Sequence, residues 1–394
     1  MRSSQLLQGF NSHINFIAVR QALDEDFSAI HREGDDSMQT IEDQEGKPVW
    51  DKPVAVDEKW IESVDDNVSA KLPPGSKIKD IASFGFSYWT RTAKISTVQA
   101  DGSDLFFFLK VTQNNTGKAM VDGEFVSMLS LYKALPYIVP HPYASGTYAS
   151  DPNIHFFLCG FVDMDEDLPD VQKLVHGLAE LHMNGVNPVG KYGFHVPTLQ
   201  GTIPQYTEWT QTWEEFFSHS IRRVFENEEK SQGYDEEVHE LCRLTLEKVV
   251  PRLLRPLETG GRMIKPRLVH GDIWDGNVST DLNSNTPVIY DATCIYAHNE
   301  IELAPLRPIR HKMGKQYVKA YFEHFQMSDP EEDQDDRNAL YCLRWDMNCS
   351  TLYPGNLRYR KMCTDVMRYF VDKFPNGYEG WAKERGKSRL PETI

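Results

Sequence analysis

The stretch that most constrains this chain is a short apolar run, residues 267–269, which leads into a His-Gly-Asp turn ending at Asp272. Asn277 follows five positions later, and a second apolar run ends shortly before Asp291. These residues suit phosphoryl transfer, in which Asp272 can orient an acceptor hydroxyl and take its proton while Asn277 and Asp291 hold magnesium beside nucleotide phosphates. Magnesium prefers hard oxygen ligands, and both residues supply them. The alternative is a polar turn before an ordinary buried strand, but the full combination is much rarer by chance and favours a kinase-like site.

The length and charge of the chain set its broad class. With 394 residues it has the size of about two domains or lobes, and 40% hydrophobic residues allow a sizeable core. The formal net charge of −16 argues against a broad nucleic-acid surface, which needs clustered cations. A small cationic pocket for nucleotide phosphates remains compatible with this charge.

The sequence also limits the expected compartment and partners. No apolar run in the sequence approaches the roughly 20 residues of a membrane span, and the N-terminus lacks the apolar segment of a secretory signal. The six cysteines are scattered without a Cys-x-x-Cys pair, which suits a reducing compartment better than a disulfide framework or a zinc site. We therefore expect a cytoplasmic protein with no membrane partner and no nucleic-acid partner.

Composition divides the chain into three parts. Residues 1–75 are mixed in character, which predicts an extension that packs only in part on the main domain. A Pro-Pro-Gly sequence at 73–75 marks its end. Residues 76–163 have strand patterns that predict an N-lobe. Residues 164–394 are predicted to form a C-lobe, which contains the His-Gly-Asp turn, called the catalytic turn below.

Three antiparallel strands are predicted at the start of the N-lobe, at 78–85, 92–98 and 105–111, with an Asp-Gly hairpin signal before the third. They resemble the start of a kinase small lobe, in which the first hairpin covers the phosphates with backbone N–H groups. Gly85 is the candidate residue in that hairpin. A plain hairpin without a ligand is the alternative, since Gly85 is a single glycine among bulky residues.

A lysine inside the third apolar strand, Lys110, is costly to bury without a partner. Glu124 lies in a segment with helical apolar spacing, 123–132, and kinases hold the α- and β-phosphates with a strand lysine paired to a helix glutamate. A lysine that extends from an edge strand to solvent is the alternative. The next strand, 155–162, is the predicted hinge, where kinases bind adenine through backbone groups of residues such as Gly160, Phe161 and Val162.

The C-lobe pattern is mainly helical. Apolar spacing predicts helices over 169–183 and 235–250, and Trp213 begins another. The middle segment, residues 191–217, is aromatic and irregular, so it is either a functional loop or a loop packed around a structural aromatic cluster. The acidic run 329–336 is predicted to be a solvated loop.

Three regions of the sequence together resemble the fructosamine kinases, also called ketosamine 3-kinases or protein-ribulosamine 3-kinases, within the aminoglycoside and choline kinase-like group. Residues 269–278 are close to the family's His-Gly-Asp-Leu-Trp-Ser-Gly-Asn-Val, and 108–111 with Gly123-Glu124 supply the lysine–glutamate pair. The middle segment matches the family spacing at Gly193, Phe194, Thr198, Gly201, Pro204, Gln205, Trp209, Trp213 and Phe217.

This resemblance implies an α+β, bilobal protein-kinase-like fold with a small antiparallel-sheet N-lobe and a larger, mainly helical C-lobe. It implies ATP and Mg²⁺ as cofactors and a ketosamine as partner, either a small molecule or a glycated protein. The sugar 3-hydroxyl of the ketosamine would be phosphorylated in a deglycation repair reaction. By position, Asp272 is the expected base, and Asn277 and Asp291 are the expected metal ligands. Lys110 and Glu124 are expected to orient the phosphates.

Two residues are expected to contact the acceptor by this resemblance. Trp274 is expected beside the sugar, with a role as a core anchor of the loop as the alternative, and His298 is the second expected substrate contact. The chain departs from the family at Glu302, which replaces an Asp, and at Trp345-Asp346, where Asn-His pairs are common. We therefore expect a different acceptor pocket. A related kinase for another hydroxylated amine and a non-catalytic nucleotide-binding scaffold are the alternative functions.

Overall fold

An antiparallel sheet forms the first part of the fold. The computed structural model describes residues 56–387 apart from Phe86 and Tyr88, and its main sheet has the strand order β1-β2-β3-β5-β4. The strands are β1 (Lys77–Ser83), β2 (Arg91–Val98), β3 (Asp104–Gln113), β4 (Pro142–Thr147) and β5 (Ile154–Gly160). The three strands predicted at the start of the N-lobe are therefore confirmed.

The central strands are apolar because both of their faces are covered. Side chains alternate between the faces of a strand, so Phe156 and Leu158 of β5 join one hydrophobic core. Phe157 and Cys159 of the same strand join a second, larger core that continues into the helices. This explains the uninterrupted apolar sequence of the strand that leads to the predicted hinge.

Residues 56–75 pack on the outer face of the sheet. A 3₁₀ helix (Glu58–Ile61) and the short helix α1 (Asp66–Ser69) each bury an apolar side chain in the first core. The hydroxyl of Tyr148 donates to a backbone carbonyl of the 3₁₀ helix at 2.8 Å. This part of the predicted extension packs on the main domain as expected, and residues 1–55 lie outside the described residues.

The long helix α2 (Asn114–Ala134) covers the inner face of the sheet and carries Glu124. It extends the predicted helix over 123–132 in both directions. Gly123 permits the close approach of this helix to the middle segment, because a Cβ there would lie 2.7 Å from the carbonyl oxygen of Pro197. The helix therefore connects the sheet to the second half of the chain next to the site.

Helices dominate the second half of the described chain. They are α3 (Val171–Asn184), α4 (Trp213–Gln232), α5 (Glu236–Leu244), α6 (Val250–Leu254), α7 (Lys315–His324), α8 (Gln334–Leu352), α9 (Leu357–Lys373) and α10 (Gly377–Lys387). The helix predicted over 169–183 is confirmed as α3, and the one over 235–250 as α5, a π-helical turn and α6. No helix in the described part of the chain is both long and apolar enough to cross a membrane.

Short antiparallel strand pairs carry the loops of the site. Within the described residues they are β6 (Leu199–Gln200) with β7 (Ile203–Pro204), β8 (Arg267–Val269) with β11 (Ile295–Ala297), and β9 (Val278–Thr280) with β10 (Pro287–Ile289). Together with the main sheet and the helices they form the expected α+β fold.

The acidic run 329–336 is only in part the solvated segment that its composition predicts, because positions 329, 331, 332 and 335 are exposed and two carboxylates are not. Asp333 is buried and accepts two hydrogen bonds from Arg252, at 2.7 and 2.9 Å. Asp336 is also buried, in the first turn of α8, and accepts from Lys373 Nζ at 2.8 Å. The prediction is wrong for these two carboxylates because they have cationic partners on other helices, which local charge counting cannot detect.

Candidate active site

A sharp turn after β8 presents the His-Gly-Asp sequence. β8 pairs with β11, and the chain then turns at Gly271, whose φ is 87°. A Cβ at Gly271 would collide with the backbone carbonyl of Thr293, so glycine suits both the left-handed conformation and the space. The glycine of the motif is therefore a steric requirement of the turn that carries Asp272.

Two buried side chains fix the backbone of this turn. The His270 ring donates from Nε2 to the carbonyl of Tyr290 at 2.9 Å and accepts at Nδ1 from the backbone N–H of Asp272 at 3.3 Å. Burial lowers the pKa of His270, which favours the neutral ring. Only the neutral ring can donate one of these hydrogen bonds and accept the other. The Glu302 carboxylate accepts hydrogen bonds from the backbone N–H groups of His270 and Gly271, the latter at 2.9 Å.

The middle segment holds the same turn from the other side. Gln200 Nε2 donates to the carbonyl of Gly271 at 3.2 Å, and Gln205 Nε2 donates to the carbonyl of Thr293 at 3.0 Å. Trp213, at the end of the segment, is fully buried in the large core. The segment therefore combines a structural aromatic cluster with two glutamines that position the catalytic turn.

Asp272 and Asn277 are joined by hydrogen bonds. Asn277 Nδ2 donates to the backbone carbonyl of Asp272 at 2.9 Å and to its Oδ2 at 3.0 Å, and Trp345 Nε1 donates to its Oδ1 at 2.8 Å. Burial raises the pKa of Asp272 to about 7; the Trp345 hydrogen bond opposes this increase, and the nearby Asp291 carboxylate adds to it. The carboxyl group of Asp272 can therefore bind and release a proton near neutral pH.

A charged cluster links the sheet, α2 and the segment after β10. Lys110 Nζ lies 2.8 Å from each carboxylate oxygen of Glu124 and 2.6 Å from Asp291 Oδ1. Burial acts to lower the pKa of Lys110, but the two carboxylates raise it above its usual range. Desolvation acts to raise the pKa of Asp291, whose side chain is still 53% exposed, but Lys110 holds it below its usual range. The predicted lysine–glutamate pair therefore forms, and Lys110 also contacts one of the predicted metal ligands.

The β9–β10 hairpin brings the two predicted metal ligands together. Asn277 precedes β9, and its backbone carbonyl accepts from the N–H of Tyr290 at 3.1 Å. Asp291 is the next residue after Tyr290 and has a left-handed backbone, with φ of 63°. The pairing of this hairpin thus places Asn277 and Asp291 at the same end of two adjacent strands.

The predicted nucleotide-side residues lie at or just beyond the ends of strands in the main sheet. Gly85 is in the connection between β1 and β2, with φ of 74°. Gly160 ends β5, and the backbone N–H of Phe161 donates to the carbonyl of Phe106 at 3.0 Å. Because this N–H is used in a hydrogen bond to the sheet, Val162 is the first of the predicted hinge residues beyond the strand pairing. Contact of these residues with a nucleotide stays a prediction.

Trp274 lies close to the candidate base. Its indole covers Gly276, where a Cβ would collide with the ring, and its ring centroid is 5.2 Å from that of His311. Hydrogen bonding by Trp274 is also one of the influences that lower the pKa of Asp272. The half-buried indole is therefore both packed in the loop and adjacent to the candidate base, and a contact with the sugar stays a prediction.

His298 does not lie in the cleft. Its side chain has an exposed fraction of 0%, and its ring nitrogens lie 2.9 Å from the hydroxyls of Tyr341 and Ser328. Burial lowers the pKa of His298 to about 4, so the ring is neutral. The expected substrate contact at His298 is wrong for this structure, because the chain after β11 enters the helical core.

Two aromatic residues near the base were not found as site residues from the sequence. Trp345 contacts Asp272 although the two lie 73 positions apart. His311 contacts Trp274 and Trp345 through its ring. In the sequence, only the departure from the family at Trp345-Asp346 pointed to this region. It did not indicate which residue the indole would contact.

The sheet with its long helix, and the turn that brings Asp272 near Asn277 and Asp291, define a kinase-like phosphotransferase. The comparison with known families makes this class specific. The family profile described as fructosamine kinase matches residues 78–372, and the chain belongs to this family.

Relatives and solved structures agree with this assignment. The chain is 29% identical over 269 residues to the chloroplastic protein-ribulosamine 3-kinase of Oryza sativa subsp. japonica, covering 68% of this chain and 74% of the relative. It is 31% identical over 220 residues to the ketosamine-3-kinase of Mus musculus, covering 50% and 68%.

Two solved structures confirm the kinase-like fold. A candidate fructosamine-3-kinase of Thermobifida fusca superposes with a TM-score of 0.61 at 20% identity, covering 79% of this chain and 99% of that one. Aminoglycoside phosphotransferase APH(4)-Ia superposes with a TM-score of 0.52 at 17% identity, covering 75% and 94%.

Proposed function

We propose that this fructosamine kinase family member transfers the γ-phosphate of ATP to the sugar 3-hydroxyl of ketosamines on protein lysines or small amines. The observation that carries the proposal is the convergence of Asp272, Asn277, Asp291 and the Lys110–Glu124 pair. The names of the rice and mouse relatives, protein-ribulosamine 3-kinase and ketosamine-3-kinase, support this acceptor class.

Asp272 is the proposed general base. Its carboxylate takes the proton of the 3-hydroxyl while that oxygen forms a bond to the γ-phosphorus. The bond between the γ-phosphorus and the bridging oxygen breaks, and ADP leaves. The phosphorylated adduct then breaks down and frees the amine, which would make the reaction a deglycation repair step.

Lys110 and Glu124 are the proposed phosphate-orienting pair. The side chains are nearly buried, each with 10% exposure, so Glu124 can hold the ammonium group in one direction without much screening by solvent. Lys110 then presents a fixed positive charge to the α- and β-phosphates, as in other kinases.

Asn277 and Asp291 are the proposed ligands of Mg²⁺. The described residues contain no group of three or more His, Cys, Asp or Glu side chains that could hold a metal. An amide oxygen and a carboxylate nevertheless fit Mg²⁺, which is usually bound by one or two protein oxygens together with waters and substrate phosphates. When bound, the ion would neutralise charge on the phosphates during transfer.

The nucleotide is assigned to the boundary between two proposed lobes, residues 76–163 and 164–394. The Gly85 turn is proposed to cover the phosphates. Adenine is assigned to the backbone groups of Gly160, Phe161 and Val162. Among these, Val162 is the first residue beyond the strand pairing, and the Phe161 N–H already donates to Phe106, so the strongest adenine contacts are expected at Val162.

A cytoplasmic location is also part of this proposal. All six cysteines of the chain are free thiols in the structure, which suits a reducing compartment. Because the rice relative is named as chloroplastic, fractionation of the tagged protein between cytosol and organelles is the appropriate measurement.

The proposed reaction is tested by incubating the purified full chain with Mg²⁺, ATP and either a ribulosamine or a fructosamine of a model amine. We expect formation of ADP together with a product heavier by one phosphoryl group, and NMR should place the phosphate on the sugar 3-oxygen. If ATP binds but no amine-linked sugar in a broad panel is phosphorylated, a nucleotide-binding scaffold replaces this proposal.

The pH dependence follows from the state of Asp272. Its pKa is raised to about 7, and only the deprotonated carboxylate can accept the hydroxyl proton. We therefore expect kcat/KM to rise as the pH increases through about 7 and to level off above it. A profile measured from about pH 5.5 to about 8.5 that stays flat would contradict a base with this pKa.

A further inference from the structure

The indole of Trp345 donates a hydrogen bond to the proposed base. Its Nε1 lies 2.8 Å from Asp272 Oδ1, while Asn277 Nδ2 lies 3.0 Å from Asp272 Oδ2. The two donors come from different elements, α8 and the catalytic turn, so they fix the rotation of the carboxylate. A carboxylate offers about four acceptor directions, which leaves room for the acceptor hydroxyl.

The indole of Trp345 is itself held by neighbouring charged side chains. The Arg310 guanidinium lies 5.0 Å from the centroid of the indole and forms an ion pair with Asp346, the next residue of α8. The side chains of Arg310 and Asp346 are only 8% and 10% exposed, so their attraction is little screened by salt. This packing restricts rotation of the indole away from Asp272.

His311 connects Trp345 to the other indole near the base. Its ring centroid lies 5.3 Å from that of Trp345 and 5.2 Å from that of Trp274, in edge-to-face contacts. His311 Nδ1 also lies 3.0 Å from the carboxylate of Asp275, within the catalytic turn. We call Trp274, His311 and Trp345 the aromatic brace, because the set ties α8 to the turn that carries the base.

We propose that Trp345 is a positioning residue for phosphoryl transfer: its indole N–H holds the Asp272 carboxylate in the orientation that accepts the hydroxyl proton, and the aromatic brace keeps the indole in place. The catalytic meaning of this contact rests on the proposed function. The contact itself can be tested on the free enzyme, without any acceptor. A donor at this position acts on the charged form of the carboxyl group and therefore on its strength as a base.

The effect of removing this donor has a defined direction. Trp345→Phe removes the N–H and keeps an aromatic ring against Arg310 and His311. The Asp272 carboxylate then keeps only the hydrogen bond from Asn277 Nδ2 of these two and can rotate about that contact. We therefore expect the chemical step to slow while the binding of ATP stays unchanged.

The measurement is a ¹⁵N–¹H NMR spectrum of the tryptophan indole groups of the free enzyme, with the Trp345 signal assigned by its loss in Trp345→Phe. The Trp213 indole is the matched internal control, because its Nε1 also donates a hydrogen bond at 2.8 Å, to the hydroxyl of Tyr341 in the core. We expect the Trp345 signal to move upfield in Asp272→Ala, which removes the acceptor, and the Trp213 signal to stay in place.

An unmoved Trp345 signal in folded Asp272→Ala overturns the proposal. If that variant does not fold, Asp272→Asn, which keeps the shape and loses the charge, should give a smaller upfield shift, and no shift there overturns it equally. In kinetics, Trp345→Phe should lower kcat about tenfold with unchanged ATP affinity, and it should have no further effect when it is combined with Asp272→Asn. A moved signal in an enzyme without ketosamine turnover would count against the proposed function and leave the positioning contact standing.

Discussion

Asp272→Asn is expected to lower kcat by about 10³-fold, since a positioned general base contributes about 10²- to 10⁴-fold. The amide is close in shape to the carboxylate and its oxygen can still accept one of the present hydrogen bonds, from Trp345 or from Asn277. It cannot accept the proton of the acceptor hydroxyl. Steady-state kinetics with saturating ATP and a ketosamine would measure the loss of kcat. Calorimetry would show whether ATP binding is unchanged in the same variant.

The matched control for this variant is Asp101→Asn, which makes the same chemical change in the exposed hairpin turn between β2 and β3. It should retain the turnover of the unmodified enzyme. If Asp272→Asn stays within about tenfold of the unmodified enzyme, proton transfer to Asp272 does not limit the reaction and another base must be sought.

Arg337→Met is expected to reduce the free energy of unfolding by about 3–5 kcal/mol, the usual cost of removing one partner of a buried ion pair. Arg337 and Glu300 are fully buried, and Arg337 Nε lies 2.9 Å from the Glu300 carboxylate. Arg337 also donates to the carbonyls of Ser328 and Pro330, at 2.8 and 2.7 Å. The substitution leaves a buried carboxylate and two carbonyls without this donor. Chemical denaturation followed by circular dichroism gives the measurement.

Arg243→Met provides the comparison on the surface. Arg243 forms ion pairs with Glu240 and Glu247 along α5 and the π-helical turn, and all three side chains are about half exposed. Its removal should change the unfolding free energy far less than Arg337→Met does, since exposed pairs are screened and flexible. Equal effects of the two substitutions would show that the Arg337 network adds little to stability.

The parts of the site that could be predicted are those encoded by local sequence. The glycine at the turn, Asp272 and Asn277 lie within eight positions of one another, so their spacing alone restricts how they can be arranged. The Lys110–Glu124 pair could also be predicted, because an isolated lysine in an apolar strand requires a partner and the following helix offers one. The long helices followed from apolar periodicity in the same way.

The parts that could not be predicted depend on how distant helices pack. Trp345 reaches Asp272 only because α8 crosses the catalytic turn, and no local pattern carries that information. His298 shows the opposite failure: the family resemblance suggested a substrate contact, whereas the path of the chain after β11 buries the side chain. Asp333 in the acidic run was misjudged for the same reason, since its partner Arg252 is remote in sequence.

The β9–β10 hairpin determines which distances in the site can change when the main sheet moves. Asn277 and Asp291 flank one short ribbon, so backbone hydrogen bonds, such as that from Tyr290 to Asn277, determine their separation. Lys110 reaches Asp291 from the main sheet, 181 positions earlier in the chain. Moving the sheet away from the segment after β10 would therefore stretch the ammonium–carboxylate contact, while the two oxygen donors keep their spacing.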